Sequence, residues 1–78
     1  MSDRLVDLFA STLSIDPKLL SEDSSPENTD AWDSVTNMML VAGIEEEFGI
    51  ELTSDEIVQM NTIGKARRML QKRAVNTA

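Results

Sequence analysis

The sequence predicts an all-α fold, a four-helix bundle of three longer helices and one short one, with a long loop between helices 1 and 2. Apolar residues recur at helical spacing in three segments of the chain. No segment shows the convincing alternation of polar and apolar residues that marks a half-buried strand. A polar stretch interrupted by proline, residues 21–30, separates the first two helical segments and is typical of a loop.

The first helix is predicted from one face with positions at i, i+3, i+4, i+7 and i+8, of which four are apolar. These positions are Leu5, Leu8, Phe9, Thr12 and Leu13. Asp3 or Ser2 can cap its start. Asp16 followed by Pro17 predicts one further helical turn, because proline suits the first position of a helix. Three large side chains flank the loop and are expected to anchor it to the helices: Leu19, Leu20 and Trp32.

The central helix is predicted over residues 34–48, ending before Gly49, a common helix terminator. One stripe of this helix contains Asn37, Leu40, Val41, Ile44 and Phe48. Further apolar residues lie off that stripe, so the first half is apolar nearly all round and either buried or used for docking. With only three other short helices as cover, complete burial is difficult. Gly43, in mid-helix, either leaves space for a bound chain or permits close helix packing.

Two further helices are predicted from their caps. Thr53 and Glu56 fit a capping box, which opens a short third helix. Thr62 caps the last helix, whose basic residues gather toward its C-terminal end, where the helix dipole favours them. Residues 75–78 are expected to form a frayed tail. The inward positions of the last helix are Ile63, Ala66 and Leu70.

The charge of the chain is strongly and unevenly acidic. The net charge is −7, from 14 acidic and 7 basic residues. Residues 19–64 contain no Lys or Arg but eleven acidic residues, and five of the seven bases follow within residues 65–73. Such a surface repels nucleic acid and anionic membranes and attracts basic protein partners. The alternative is that the acidity merely keeps a small protein soluble.

Composition and length exclude several classes of function. The 78 residues contain no cysteine and no histidine, which argues against disulfides, thiolate metal sites, cysteine nucleophiles and a histidine base. The longest apolar run, residues 38–44, is far shorter than the ~20 residues that span a bilayer. The first residues lack the features of a signal peptide. We therefore expect a cytoplasmic monomer with one domain, residues 1–78, and no metal.

Ser34 lies where the acidic loop meets the central helix. A serine at a helix N-terminus commonly caps a backbone N–H group, and Asp33 could cap it equally well. From these neighbours alone, capping is the more common role for such a serine.

The wider pattern resembles the acyl carrier protein family along the whole chain. The matching residues are the segment Asp30-Ala31-Trp32-Asp33-Ser34-Val35, then Leu40, Ile44 and residues 45–50. The family hallmark is an Asp-Ser-Leu triplet that opens the second helix, with an acidic Glu-Glu-Phe stretch at its end. In that family the serine accepts 4′-phosphopantetheine from coenzyme A, and the thiol of this arm carries acyl groups as thioesters. The resemblance therefore implies an acyl-carrier-like bundle with covalent phosphopantetheine on Ser34, beside Asp33, in a carrier that is not an enzyme.

The resemblance also implies partners. These are a phosphopantetheinyl transferase and acyl-loading and acyl-transfer enzymes with basic docking patches. We expect Ser34 to be solvent-accessible at the start of the second helix, and residues 45–47 to be exposed. The alternative to a partner-binding surface is that the glutamates form a solvated acidic helix end with ordinary apolar neighbours. The expected partner-binding residues are Val35, Met39, Ala42, Glu45, Glu46, Glu47, Asp55 and Glu56.

Three departures from the family pattern favour a stand-alone carrier for a specialised pathway. The triplet ends in Val35, Ala31 stands where glycine is frequent, and the first half of the central helix lacks acidic residues. Fatty-acid, polyketide and other specialised biosynthesis all remain open. An aminoacyl or peptidyl carrier is an alternative, less favoured because no Gly-Gly precedes the serine. A second alternative is an unmodified acidic adaptor for a basic partner, which would tolerate Ser34→Ala.

Overall fold

The computed structural model describes residues 3–73, which form an all-helical fold as predicted. Residues 75–78, predicted as a frayed tail, lie outside the described residues. None of the helices in the described part is long and apolar enough to cross a membrane. The elements are α1 (Arg4–Leu13), a 3-10 turn (Pro17–Leu19), α2 (Ser34–Phe48), α3 (Ser54–Gln59) and α4 (Ile63–Lys72).

The core lies between α1, α2 and α4, and Trp32 of the long loop completes it. The predicted faces of α1 and α4 are confirmed, because most of their apolar positions are buried at helical spacing and Leu8 packs partly against the core. In α2 only two positions are fully buried, and Val41 and Phe48 pack partly against the core. The fully buried large side chains are Trp32, Phe9, Leu5, Leu40, Ile44, Met60, Ile63 and Leu70.

Gly43 brings α2 close to α1. A Cβ atom at this position would lie 3.0 Å from Cδ1 of Leu8, which is tighter than an ordinary carbon contact. This favours the interpretation that Gly43 permits close helix packing. The outer side of α2 is open: Val35 and Met38 expose 67% and 74% of their surface. The expectation that this helix is not completely buried is confirmed.

The long loop is anchored to the start of α4 through its backbone. Ile63 N–H donates to the Ser24 carbonyl at 3.2 Å, and Gly64 N–H donates to the Glu22 carbonyl at 2.9 Å. These carbonyls satisfy N–H groups that a helix N-terminus leaves without intrahelical partners. A Cβ at Gly64 would lie 3.1 Å from the Glu22 oxygen, so the close approach depends on glycine.

Of the three predicted loop anchors, Trp32 is confirmed and Leu19 is wrong. Trp32 is 2% exposed, and Leu20 packs partly against the core. Leu19 is 76% exposed, because the loop is instead fixed by backbone hydrogen bonds and by two buried serines that the sequence did not single out. Ser24 Oγ accepts from Ser21 N–H at 2.9 Å, and Ser25 N–H donates to Asn28 Oδ1 at 2.9 Å.

Arg67 of α4 connects the start of α1 to the long loop. Its guanidinium donates to both carboxylate oxygens of Glu22, at 2.7 and 3.1 Å, and to those of Asp3, at 2.7 and 3.3 Å. Asp3 also caps α1, accepting from Leu5 N–H at 3.1 Å, which confirms one of its two predicted caps. Burial raises the pKa of Asp3, but the hydrogen bonds from Arg67 and the helix N–H groups outweigh it and lower the pKa.

We expect Arg67→Met to lower the free energy of unfolding by about 2 kcal/mol, because hydrogen bonds to charged groups are each worth about 1.5–3 kcal/mol and this guanidinium is only 18% exposed. The aliphatic stem of methionine preserves part of the packing. The matched control is Arg68→Met on the exposed side of α4, which should change the stability by less than about 0.5 kcal/mol. Urea titration of both variants provides the measurement, and equal losses would contradict the role given to Arg67.

Candidate functional site

The start of α2 is capped by Asp33, not by Ser34. One Asp33 carboxylate oxygen accepts from Val35 N–H and from Thr36 N–H, both at 3.0 Å. Thr36 completes a capping box, since its Oγ1 accepts from Asp33 N–H at 2.8 Å. The hydrogen bond from Thr36 N–H is the main reason that the pKa of Asp33 is lowered, and Val35 N–H adds to it.

Ser34 therefore does not cap the helix. It is the first residue of α2 and is exposed, as expected from the sequence. Its hydroxyl makes no hydrogen bond within residues 3–73. Capping, which would be the ordinary reason for a serine at this position, is performed by Asp33. The hydroxyl is accessible to a reagent or to another protein.

The backbone around Ser34 is fixed by the residues on both sides of it. The Trp32 ring packs edge-on against Phe9 with 5.2 Å between centroids. Its indole Nε1–H donates to Asn37 Oδ1 at 3.0 Å, and Thr36 Oγ1 donates to the Ala31 carbonyl at 2.7 Å. Thr36 and Asn37 were not predicted from the sequence to be positioning residues. A threonine three positions after an aspartate cap was the available indication.

The electrostatics at Ser34 suit a phosphate ester. The N-terminus of a helix carries about half a positive charge, and nearby anions are stabilised by ~0.3–1 kcal/mol when exposed. The first turn of α2 contains no acidic residue, and the Asp33 carboxylate that precedes it accepts from two of the helix N–H groups. A phosphodiester on the Ser34 oxygen would lie beside the N–H groups of this 15-residue helix.

An open groove of about 360 Å³ begins at Ser34, and we call it the Ser34 groove. It lies between the start of α2 and the α3 segment. Asp33, Ser34 and Asn37 line one side of it. The opposite side, formed by residues 57–61, is mostly apolar and is lined by Ile57, Val58 and Met60, with Asn61 beside them. A flexible arm attached to Ser34 would find an apolar surface within reach.

The eight predicted partner-binding residues fall into two groups in the structure. The first group is exposed and makes no ion pair within the described residues, so it is available for contact with another protein. Val58, which is 78% exposed and was not among the predicted residues, extends this surface onto α3. The first group contains Val35, Met39, Ala42, Glu46 and Asp55.

The second group consists of glutamates with partners inside the chain. Glu45 is partly buried, because its carboxylate accepts from Leu52 N–H at 2.8 Å, so the expectation of exposure is wrong for this residue. Glu47 is exposed as expected but pairs with Arg4 at 3.3 Å. The exposure of Glu46 is also confirmed.

Glu56 is the third of these glutamates and stabilises the short helix α3. It completes the capping box with Thr53, whose N–H donates to Glu56 Oε1 at 3.0 Å. Arg73 Nε–H donates to its other oxygen at 2.7 Å. The hydrogen bonds from Arg73, and then those from Thr53, lower the pKa of Glu56 from 4.5 to about 2.

We expect the Glu56 carboxylate to contribute to stability above about pH 4.5 and to lose that contribution as the pH falls toward 2. The reason is that its folded-state pKa lies below the unfolded value, so acid favours the unfolded chain. Thermal melts at several pH values should show a lower Tm for Glu56→Gln at pH 7 and a weaker pH dependence between about pH 4.5 and 2. Glu46→Gln, which removes an exposed carboxylate, is the control. An unchanged acid dependence in Glu56→Gln would contradict the prediction.

Among residues 3–73 no three potential metal-ligating side chains lie together.

A comparison with protein families gives a match to the phosphopantetheine attachment site over residues 3–70, which is most of the chain. Domains of this family carry substrates and interact with enzymes and with a phosphopantetheinyl transferase. An exposed serine at a helix N-terminus fits that cofactor. The chain therefore belongs to the phosphopantetheine attachment site family and carries covalent 4′-phosphopantetheine as its cofactor.

Proposed function

We propose that this chain is an acyl carrier protein that bears its 4′-phosphopantetheine arm on Ser34 and holds acyl groups on the arm as thioesters. The observation that carries the proposal is that capping and the available hydroxyl belong to two different residues at the start of α2. Asp33 supplies the helix cap, whereas the exposed Ser34 hydroxyl has no hydrogen bond among the described residues. A serine with an available oxygen at a helix N-terminus is suited to receive a phosphate ester.

Attachment requires only the nucleophilic oxygen from this chain. Ser34 Oγ would form a bond to the phosphorus that bears the pantetheine arm in coenzyme A. The pyrophosphate P–O bond then breaks, and adenosine 3′,5′-bisphosphate leaves. The chain contains no histidine, and Asp33 is engaged by two helix N–H groups, so the transferase would accept the serine proton. The arm supplies the thiol that holds the cargo.

The surface beside Ser34 supports a docking role for partner enzymes. Val35, Met39 and Ala42 present apolar surface on α2, with Glu46 on the same helix and Asp55 on α3 as exposed acids. Enzymes that load or remove the acyl group would approach this surface with basic patches, since opposite charges speed association. We further propose that the chain acts as one cytoplasmic domain without catalytic activity, in fatty-acid, polyketide or another specialised pathway.

The test is incubation of the chain with coenzyme A and a broad-specificity phosphopantetheinyl transferase, followed by intact mass and peptide mapping. Trypsin leaves residues 19–64 uncut, because this region has no Lys or Arg. Cleavage before aspartate and after glutamate instead yields residues 33–45, which contain Ser34 as their only serine. We expect a gain of one phosphopantetheine, located on that peptide. A gain elsewhere would overturn the assignment of Ser34, and no gain on the folded chain would favour the acidic adaptor.

A further inference from the structure

Three basic residues on α4 have no carboxylate partner in the described part of the chain: Lys65, Arg68 and Lys72. Their spacing is i, i+3 and i+7, so they lie on one exposed side of the helix. By contrast, three arginines of the chain form ion pairs with carboxylates, namely Arg4, Arg67 and Arg73.

These bases line an open groove of about 500 Å³ between α3 and α4, which we call the basic groove. Val58 and Met69 give it an apolar part. Its one acidic lining residue, Glu56, is already paired with Arg73. In a chain of net charge −7, this groove therefore combines uncompensated positive charge with apolar surface.

The basic groove adjoins the Ser34 groove. Val58 and Asn61 border both of them. A group carried on Ser34 would first meet the apolar side of the Ser34 groove. Beyond Val58 it would reach the three bases of α4.

We propose that the basic groove binds the distal carboxylate of an acyl group carried on Ser34, which makes acyl groups with a terminal carboxylate the preferred cargo. This rests on the proposed function. The methylene chain of such a cargo would lie against Val58 and Met69, and its carboxylate would accept hydrogen bonds from the bases. An uncharged acyl group of equal length gains only the apolar contact.

The continuity of the two grooves favours the chain's own cargo over an acidic segment of another protein. A tethered ligand binds at a high effective concentration, so even weak exposed ion pairs can hold it. A separate acidic protein lacks this advantage and would have to approach a molecule with 14 acidic residues.

The test compares two cargoes of equal length. A broad-specificity transferase loads the ¹⁵N-labelled chain from adipoyl-coenzyme A or from hexanoyl-coenzyme A, and intact mass verifies each product. We expect the adipoyl group to shift the NMR signals of Lys65, Arg68 and Lys72, and the hexanoyl group to leave them near their positions in the unacylated form. The additional shifts should disappear in 0.5 M salt, because ion pairs at the surface are screened.

The variant for this test replaces Lys65, Arg68 and Lys72 together by glutamine, and the control is Lys18→Gln, a base outside the groove. In the triple variant the adipoyl and hexanoyl forms should give the same shifts on α3 and α4, whereas Lys18→Gln should behave like the wild type. Loading without any difference between the two cargoes would overturn the inference and leave an acidic protein segment as the occupant. Failure of wild-type loading would instead count against the proposed function.

Discussion

The Ser34→Ala variant is expected to fold normally and to lose phosphopantetheine attachment completely. The Ser34 hydroxyl makes no hydrogen bond within residues 3–73, and the cap that starts α2 comes from Asp33. Removal of this exposed oxygen should therefore change the free energy of unfolding by less than about 0.5 kcal/mol. No other atom at the start of α2 offers an exposed hydroxyl, because Thr36 Oγ1 is used in the capping box.

The chain provides a closely matched control in Ser54→Ala. Ser54 is the first residue of α3, is exposed, and directly follows the threonine that caps that helix. It thus shares the helix position and exposure of Ser34. We expect Ser54→Ala to be loaded to the same mass as the wild type, and Ser34→Ala to show no gain at any incubation time. Loading of Ser34→Ala would move the attachment to another residue, and unfolding of it would show that the hydroxyl is structural.

The bounds of α2 could be predicted because both ends carry strong local determinants. Gly49 adopts a positive φ of 65° at the C-terminus, a conformation that glycine accepts without strain. At the N-terminus the choice between Asp33 and Ser34 could not be made from sequence. Both have short oxygen-bearing side chains, and the cap is decided by which residue leaves the helical conformation. Asp33 is extended in the structure, and Ser34 is helical.

The attachment of the long loop could not be predicted, because it uses tertiary contacts that no local pattern encodes. The carbonyls of Glu22 and Ser24 accept from N–H groups of α4 about 40 residues later in the chain. Any residue provides a carbonyl, so the sequence showed only the apolar candidates, of which Leu19 proved exposed. Glu45 is similar: its hydrogen bond to Leu52 N–H depends on how the chain turns after α2.

The exposure of Ser34 and of several residues around it could be predicted, but the charges that remain available near them could not. Val35 and Met39 proved exposed, as a helix that is apolar on every side suggested. Which charges remain available depends on ion pairs between distant residues, such as Arg67 with Asp3, 64 positions apart. For this reason a role for the exposed bases of α4 could not be inferred from the sequence. The structure shows that they line the basic groove, which adjoins the Ser34 groove.

Trp32→Ala is expected to cost about 3–5 kcal/mol of stability, the usual range for removal of a buried aromatic ring. Trp32 is 2% exposed and packs edge-on against Phe9. A chain of 78 residues has a free energy of unfolding of roughly 4–12 kcal/mol at about 0.05–0.15 kcal/mol per residue, so this loss should remove about a quarter or more of the stability. Trp32 is the single tryptophan, and unfolding must be followed by far-UV circular dichroism. A loss below about 1 kcal/mol would contradict its assignment as the loop anchor.

Trp32→Phe separates the packing of this ring from its hydrogen bond. Phenylalanine preserves an aromatic contact with Phe9 but removes the N–H group that donates to Asn37 Oδ1. We expect Asn37→Ala to cost about 1–3 kcal/mol in the wild-type chain, because it leaves the buried indole N–H without an acceptor. In the Trp32→Phe background the same change should cost about 1 kcal/mol less, as the donor is already absent. Equal costs in both backgrounds would mean that packing alone fixes the loop before Ser34, without help from the hydrogen bond.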